Sequence, residues 1–142
     1  MLKKISFTTY IYVIWGIALS AMIGSLIFSE LMGFVPCMLC WYQRILWYPL
    51  VLILPLAAIK RDRAILSYIQ VLAIPGVIVA LYHTLLNWGV ISESLAPCRA
   101  GVSCTTLYIN WLGFINIPFL SFLGFVSILI ITHFARKAPD TV

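Results

Sequence analysis

Residues 36–59 read PCMLCWYQRILWYPLVLILPLAAI, two closely spaced cysteines followed by an apolar run with a single charge, Arg44. A helix needs about 20 residues to cross a bilayer core of roughly 30 Å. The uncharged part of this run, between Arg44 and Lys60, is shorter than that. A helix that crosses the membrane here must therefore include the cysteine turn. The stretch predicts a membrane-spanning helix that begins near Cys40 and holds Arg44 inside the membrane boundary.

The composition of the whole chain extends this prediction. Of its 142 residues, 63% are hydrophobic and only 9% are charged, which excludes a soluble globular domain. Uncharged runs long enough to span a bilayer predict four transmembrane helices, at approximately residues 10–28, 40–59, 64–86 and 116–134. We therefore predict an all-α membrane protein, a four-transmembrane-helix bundle that forms one integral membrane domain over residues 1–142, with loops at approximately 29–39 and 87–115.

The positive charges cluster beside the ends of the predicted spans. The net charge is +5, and most of the nine Lys and Arg residues are Lys3, Lys4, Lys60, Arg61, Arg63, Arg136 and Lys137. Four spans place all of these positions on one side of the membrane, and the positive-inside rule makes that side cytoplasmic. Both termini are therefore predicted in the cytoplasm, with all four cysteines at the outer side, where disulfides persist. The membrane accounts for this positive charge, and we expect no nucleic-acid partner.

The first span allows one alternative, a cleaved signal peptide, because Lys3 and Lys4 precede an apolar region and Ala18-Leu19-Ser20 loosely resembles a cleavage site. The apolar run continues to Phe28, however, and cleavage would move the positively charged C-terminus to the outside. An uncleaved first helix is the better interpretation.

Two packing features are predicted inside the spans. Gly16, Ser20 and Gly24 lie at four-residue intervals on one face of the first helix, and small residues at this spacing let helices approach closely. Pro49 and Pro55 are expected to bend the second helix, because each removes a backbone donor and clashes with the preceding turn. Such a kink is tolerated where neighbouring helices cover it.

The C-x-x-C pair formed by Cys37 and Cys40 is typical of a redox-active dithiol. A helix N-terminus and a nearby cation both stabilise a thiolate, and both are predicted here. Cys40 lies in the first turn of the second span, and Arg44 follows four residues later on the same helical face, roughly 6 Å along the axis. The pattern favours a thiolate at Cys40. A structural disulfide or half of a metal site is the alternative, and Arg44 is either a functional intramembrane charge or an arginine that snorkels to the headgroups.

Cys98 and Cys104 lie in the one long polar stretch of the chain, with Gly101 between them. A local turn brings such a pair within the approximately 5.5 to 6 Å Cα separation of a disulfide. The bond is either a structural staple or a relay, since a thiolate that attacks a disulfide passes on its oxidised state through a mixed disulfide. A four-thiolate zinc site is the rival use of the cysteines. The oxidising compartment argues against it, and we expect no metal.

His83 lies near the outer end of the third span, at a depth comparable to that of Arg44 on the second. A histidine here either donates a hydrogen bond to a polar ligand between the helices or is satisfied by a neighbouring helix. His133 lies near the opposite end of its span and is interpreted as interfacial. The sequence contains no Ser-His-Asp arrangement, phosphate-binding loop or carboxylate pair.

Together these residues resemble a known family, the DsbB-type thiol–quinone oxidoreductases, and most closely the short Gram-positive BdbC type. The resemblance rests on PCMLCWYQR at 36–44, LYHTL at 81–85, the two loop cysteines, and WLG at 111–113 before Pro118. The related vitamin K epoxide reductase type places its loop cysteines ahead of the C-x-x-C, the reverse of the order here, which favours the DsbB type.

The resemblance implies a bundle in the bacterial cell membrane, with its redox loops facing outward. The loop pair would take electrons from a secreted thioredoxin-like protein, with Cys98 meeting the partner first and Cys104 exchanging with Cys37. Cys37 and Cys40 would pass the electrons to a membrane quinone, either menaquinone or ubiquinone, with Cys40 as the quinone-facing thiolate. Arg44 and His83 match residues of the family's quinone site. Trp41, Trp47 and Tyr48 either line that site or form an interfacial belt.

The function predicted from the sequence is that of a protein-dithiol:quinone oxidoreductase that supports disulfide bond formation outside the cytoplasm. The alternative is a non-enzymatic membrane assembly or pore protein whose disulfides only staple its loops. The loop between Cys98 and Cys104 is much shorter than in Gram-negative members of the family, so the order of attack within the loop is the least constrained part of this prediction.

Overall fold

The computed structural model describes residues 5–98 and 101–139. Four long helices form in this part of the chain, and each is long and apolar enough to cross a membrane: α1 (Phe7–Leu26), α2 (Met38–Lys60), α3 (Ile65–Asn87) and α4 (Ile117–Arg136). A π-helical turn, Ile27–Leu31, extends α1, and a short 3-10 turn, Glu93–Leu95, lies in the loop after α3. No strand forms within the described ranges. The predicted all-α fold with four membrane spans is confirmed.

Polar side chains mark where two of these helices begin. Ser6 precedes α1 and its hydroxyl accepts a hydrogen bond from the Thr9 amide at 3.3 Å. Asn116 precedes α4 and its side-chain oxygen accepts from the Phe119 amide at 2.9 Å. Each cap satisfies an amide that has no partner inside the helix. The α2 helix differs, because Cys37 is its N-cap and makes no side-chain cap.

The helices form a ring in which α1 packs against α2 and α4, and α3 packs against the same two helices. At its centre the indole of Trp47 stacks on the ring of Phe125, with centroids 4.1 Å apart. A Cβ added at Gly76 would lie 2.5 Å from the Phe125 ring, and one added at Gly124 would lie 3.0 Å from Trp47. The small residues that permit close packing are therefore on α3 and α4.

The packing role predicted for Gly16, Ser20 and Gly24 is wrong. A Cβ added at Gly16 or Gly24 would meet nothing within 4 Å, so neither glycine allows a close helix approach. Ser20 and Gly24 instead line a large cavity between the helices. A run of small residues leaves space on a helix face, and in this bundle a cavity takes up that space on α1.

The expectation that a neighbouring helix covers a proline break is confirmed at Pro55. Proline lacks the amide that would bond to the carbonyl four residues earlier, and for Pro55 that carbonyl belongs to Val51. The indole Nε1 of Trp15 on α1 donates to the Val51 carbonyl at 3.1 Å. A side chain from α1 thus replaces the missing backbone donor.

The two ends of the bundle differ in composition. We call the end that holds the four cysteines the cysteine end, and the opposite end the basic end, because it holds Lys60, Arg61, Arg63, Arg136 and Lys137. At the basic end Arg63 donates to the Ala138 carbonyl at 2.7 Å and lies over the Phe7 ring. Lys3 and Lys4 lie outside the described residues. The cytoplasmic location of the basic end stays a prediction.

Candidate functional site

The C-x-x-C pair lies where α2 begins. Cys37 has an extended backbone just before the helix, and Cys40 lies in its first turn. This geometry places the two sulfur atoms 3.3 Å apart, and Cys37 is only 7% exposed. Both cysteines are free thiols in this structure. A pair held this closely is able to alternate between a dithiol and a disulfide.

The loop cysteines are joined by a disulfide between Cys98 and Cys104, with a Cα separation of 5.7 Å. Cys104 is almost completely buried, and Cys98 is half-buried. The sulfur atoms of Cys37, Cys98 and Cys104 all lie within 4.8 Å of one another. The loop disulfide therefore lies directly against Cys37, and the Cα separation predicted for the loop cysteines is confirmed.

His83 is buried beside this sulfur cluster. Its Nε2 lies 3.0 Å from the Cys104 carbonyl, so Nε2 carries the proton and donates to that oxygen. Gln43 donates to His83 Nδ1 at 3.1 Å, and the Cys37 sulfur lies 3.7 Å from Nε2. His83 thus contacts both the loop and the C-x-x-C pair. Each ring nitrogen has a defined partner, which fixes the orientation of the imidazole.

Arg44 is held between helices. Its Nε donates to the Ser25 hydroxyl at 2.7 Å, its Nη2 donates to the Ser25 carbonyl at 2.8 Å, and its guanidinium lies 5.1 Å from the centre of the Trp41 ring. Only 8% of the residue is exposed. Ser25 lies two residues before the π-helical turn Ile27–Leu31, a kind of distortion that is frequent at functional sites. These contacts hold the guanidinium inward against α1, which argues against the snorkelling alternative.

A cavity of about 410 Å³ opens between α1, α2 and α4, and Cys40 lines it while neither loop cysteine does. Its walls are mostly apolar, with a few polar groups. The α2 residues that line it are Cys40, Gln43, Arg44, Trp47 and Tyr48. The Tyr48 hydroxyl is buried without a hydrogen-bond partner in the described part of the chain. A pocket of this size with few polar groups is typical of a site for a small apolar ligand.

A second, much smaller cavity of about 30 Å³ lies on the loop side. Of these two cavities, Cys37, His83 and Cys104 line the small one, whereas Cys40 lines both. Cys37 therefore lies against the loop disulfide, and Cys40 is the thiol of the pair that also borders the large cavity.

The sulfur cluster favours ionisation of Cys37 in the dithiol. The hydrogen bond with Cys40 lowers the pKa of Cys37, burial opposes this effect, and the contact with His83 adds to the lowering. A thiolate at Cys40, predicted from the sequence, stays a prediction. The two statements concern different states. The lowered pKa of Cys37 belongs to the dithiol, whereas Cys40 is released as a thiolate when another sulfur attacks Cys37 of the Cys37–Cys40 disulfide.

The structure brings together the four cysteines and His83, but it places His83 and Arg44 in different surroundings. Arg44 lines the large cavity with Cys40, but His83 does not and reaches it only through Gln43. The assignment of His83 to a quinone site stays a prediction. Sequence reasoning missed Gln43 and Ser25. Gln43 carried a usable signal, a polar residue next to Arg44 inside a membrane span, whereas Ser25 carried none.

Comparison with known proteins finds a matching family model and several relatives. Residues 8–135 match the family model described as "Disulfide bond formation protein DsbB". The chain is 47% identical over 121 residues to disulfide bond formation protein C of Bacillus subtilis (strain 168), which covers 85% of this chain and 88% of that protein. It is 44% identical over 128 residues to probable disulfide formation protein C 1 of Bacillus anthracis, covering 89% of this chain and 91% of that one.

A third relative, the probable disulfide formation protein C of Halalkalibacterium halodurans, is 47% identical over 116 residues, which is 82% of this chain and 85% of that protein. No solved structure gives a significant match. The family model matches most of the chain, and these relatives are more than 40% identical over at least 82% of it; the chain therefore belongs to the DsbB family of disulfide bond formation proteins.

Proposed function

We propose that this chain is a protein-dithiol:quinone oxidoreductase, which reoxidises a secreted thioredoxin-like protein at the expense of a membrane quinone. Family membership makes it a membrane oxidoreductase that generates disulfides. The observation that supports the quinone-linked reaction is the position of Cys37 and Cys40 between a loop disulfide and a cavity of about 410 Å³. In this position the pair can take electrons from the loop cysteines and pass them to a molecule bound in the cavity.

The first steps of this relay are thiol–disulfide exchanges. A thiolate of the partner attacks Cys98 and releases Cys104 as a thiolate, and the partner's second thiolate then displaces Cys98 and leaves the partner oxidised. Cys104 attacks Cys37 of the Cys37–Cys40 disulfide and releases Cys40 as a thiolate. Cys98 then attacks Cys104, which restores the loop disulfide and leaves Cys37 and Cys40 as the dithiol. Each exchange breaks one S–S bond and forms one.

The residues around the large cavity fit a quinone. Its apolar walls suit a lipid-soluble ring, and the Arg44 guanidinium and the unpartnered Tyr48 hydroxyl are hydrogen-bond donors for carbonyl oxygens. A quinone bound there would accept two electrons and two protons, so that Cys37 and Cys40 return to the disulfide. Ser25 would hold Arg44 in place through its two hydrogen bonds, and His83 would keep the Cys104 segment next to Cys37.

The orientation is part of the proposal. With the basic end in the cytoplasm, the loops at the cysteine end face the outside of the bacterial cell membrane, where a secreted partner is accessible. Cysteines introduced at two exposed positions test this orientation. On intact cells we expect a membrane-impermeant maleimide to label Ser94→Cys at the cysteine end and to leave Asp62→Cys at the basic end unlabelled; the reverse pattern would contradict the orientation.

The activity test uses the full chain purified in detergent, a reduced thioredoxin-like protein and either ubiquinone or menaquinone. We expect the quinone absorbance to fall in proportion to the dithiol consumed, one quinone for each dithiol. Protein whose thiols have been reduced and alkylated is the matched control and should be inactive. Dithiol oxidation that proceeds at the same rate without quinone would contradict the proposal.

A further inference from the structure

The small cavity at the cysteine end brings together three side chains that bind soft metal ions. Sγ of Cys37, Sγ of Cys40 and a ring nitrogen of His83 all lie within 4.8 Å of one another. The two sulfur atoms are 3.3 Å apart, and Cys37 Sγ is 3.7 Å from His83 Nε2. All three residues line the same cavity of about 30 Å³, which is large enough for a single ion.

These separations are close to those of a tetrahedral zinc site. Zinc bonds of about 2.3 Å to sulfur and about 2.0 to 2.1 Å to nitrogen place two sulfur ligands roughly 3.8 Å apart, and a sulfur and a nitrogen roughly 3.6 Å apart. The Cys37–Cys40 sulfur separation of 3.3 Å is about half an ångström shorter than the first value, and the Cys37–His83 separation of 3.7 Å is close to the second. The Cys40 sulfur and a His83 ring nitrogen lie within 4.8 Å of each other. Rotation of the Cys40 side chain would bring all three atoms into position around one ion.

Two neighbouring amides complete the surroundings of such an ion. Asn87 follows His83 by one helical turn, lines the same cavity, and has a buried Oδ1 with no hydrogen-bond partner in the described part of the chain. Gln43 bonds to His83 Nδ1. Rotation of the Gln43 amide by half a turn would present its oxygen to a protonated Nδ1. Nε2 would then give up its hydrogen bond to the Cys104 carbonyl, and its lone pair would be free for a metal. Metal-binding histidines are commonly held by an acceptor on the other ring nitrogen.

We propose that the reduced form of this chain binds Zn²⁺ through Cys37, Cys40 and His83, and that the bound ion inhibits it. Each sulfur binds as a thiolate, so a thiol that is still protonated releases its proton on binding, and no electron is transferred. The bound sulfurs can neither attack a disulfide nor form one with each other. The disulfide form of the pair offers no thiolates, so binding is specific to the reduced state.

This ligand set differs from a four-thiolate zinc site, because Cys98 and Cys104 are joined to each other and do not serve as ligands. The binding itself requires only that the C-x-x-C pair be reduced. The inhibition rests on the proposed quinone-linked function, since it is the relay through Cys37 and Cys40 that the metal would block.

The binding test uses Co²⁺ as a spectroscopic substitute for Zn²⁺, with the full chain in detergent after anaerobic reduction and removal of the reductant. We expect one Co²⁺ per chain, with thiolate-to-cobalt charge-transfer bands, intense tetrahedral d–d bands, and loss of both when Zn²⁺ is added. The chain in which a chemical thiol oxidant has closed the Cys37–Cys40 disulfide should show neither band. To keep the loop cysteines out of the reaction, the titration is repeated in Cys98→Ser/Cys104→Ser, where the same spectrum is expected.

His83→Gln is the decisive variant, because glutamine preserves hydrogen bonding and is a poor ligand for a soft metal. We expect Co²⁺ affinity to fall at least about tenfold, since loss of an outer partner alone costs roughly 10- to 100-fold. His133→Gln, which changes the other, exposed histidine, is the matched control and should bind normally. Unchanged affinity in His83→Gln, or no Co²⁺ bands in the wild-type chain, would overturn the proposal.

X-ray absorption of the zinc-loaded wild-type chain needs no variant and covers the case in which His83→Gln does not fold. We expect two sulfur ligands at about 2.3 Å together with nitrogen or oxygen ligands at about 2.0 to 2.1 Å; four sulfur ligands would overturn the assignment. Quinone reduction without metal tests the proposed function separately. A chain that reduces quinone but binds no metal would reject only the zinc site, and one that binds metal but reduces no quinone would reject only the function.

Discussion

The cysteine end and the basic end of the bundle bury different kinds of side chain. Among the described residues of the basic end, the fully buried ones are almost all apolar, and the one buried polar residue, Thr132, donates to the Ile128 carbonyl of its own helix at 2.7 Å. At the cysteine end Gln43, Arg44 and His83 are buried, and their hydrogen bonds join one helix to another element.

The difference shows how the bundle divides stability from chemistry. Close van der Waals packing holds membrane helices together, and the tight stack of Gly76, Phe125, Trp47 and Gly124 provides it at the middle of the bundle. Toward the cysteine end the packing opens into a cavity of about 410 Å³ beside a buried cation and a dithiol. Substitutions toward the cysteine end should therefore change activity, whereas those in the central stack should change stability.

The largest expected effect is at the thiol that faces the cavity. Cys40→Ser cannot close the Cys37–Cys40 disulfide, so we expect quinone reduction to fall to background while the protein stays folded. Cys98→Ser is the matched variant, because it should block exchange with the partner yet leave the Cys37/Cys40 pair oxidisable by quinone. Quinone absorbance, measured with either a partner protein or a small dithiol as the electron donor, distinguishes the two variants. Cys98→Ser should reduce quinone with the small dithiol only, and Cys40→Ser with neither donor. Unchanged turnover in Cys40→Ser would reject the mechanism.

A smaller effect is expected at the buried cation. Arg44→Ala removes a charged hydrogen-bond donor worth about 1.5 to 3 kcal/mol, so the KM for quinone should rise roughly 10- to 100-fold with less change in the rate of exchange with the partner. Ser25→Ala should raise the KM less, because it only loosens the guanidinium. Arg63→Ala at the basic end is the control and should leave the KM unchanged. If Arg44→Ala also left it unchanged, the guanidinium would have only a packing role.

The third prediction concerns the packed middle of the bundle. A Cβ at Gly76 would lie 2.5 Å from the Phe125 ring, so Gly76→Ala should destabilise the fold by about 1 to 3 kcal/mol through overpacking. Gly16→Ala meets nothing within 4 Å and should not destabilise the helix. Thermal unfolding in detergent measures both, and equal destabilisation in the two variants would contradict the packing described here.

The smallest expected effect is that the docking of the loop between α3 and α4 depends on pH. Hydrogen bonds from Ser103 and Thr105 lower the pKa of the exposed Glu93 carboxyl. A carboxyl whose pKa is lower in the docked loop than in a detached one stabilises docking above its ordinary pKa, and the contribution is lost as the pH falls through the lowered value. Amide exchange near Thr105, corrected for intrinsic rates, should rise severalfold at acid pH.

Glu93→Gln should remove that pH dependence, because glutamine does not titrate. Glu30→Gln, at a carboxyl in the π-helical turn outside this loop, is the control and should behave like the wild type. A pH dependence that persists in Glu93→Gln would assign it to another group.

The features predicted correctly from the sequence are those set by composition and short spacing. Apolar runs defined the four spans, and the short separation of Cys98 and Cys104 indicated a local pair. Their approach to Cys37 depends on how α2, α3 and the loop pack. The residues alone left open whether the loop pair is a staple or a relay, and the resemblance to a known family favoured the relay. The spacing of residues within one segment does not predict a contact between two segments.

The error at Gly16 and Gly24 has a physical reason. Small residues on one helix face indicate free space, and the sequence does not say whether a neighbouring helix or a cavity occupies it. Gly76 carried no periodic signal, because its partner is a single ring on another helix. Ser25 was missed for a similar reason, since its role depends on Arg44 reaching across from α2.

The central claim is that Cys37 faces the loop cysteines and Cys40 faces the cavity. Disulfide mapping by mass spectrometry in two double variants tests it most directly. Cys40→Ser/Cys98→Ser retains Cys37 and Cys104, whose sulfur atoms lie within 4.8 Å of each other, and should form their disulfide rapidly on mild oxidation. Cys37→Ser/Cys98→Ser retains Cys40 and Cys104 and should remain mostly reduced. Equally rapid pairing of Cys40 with Cys104 would contradict the account.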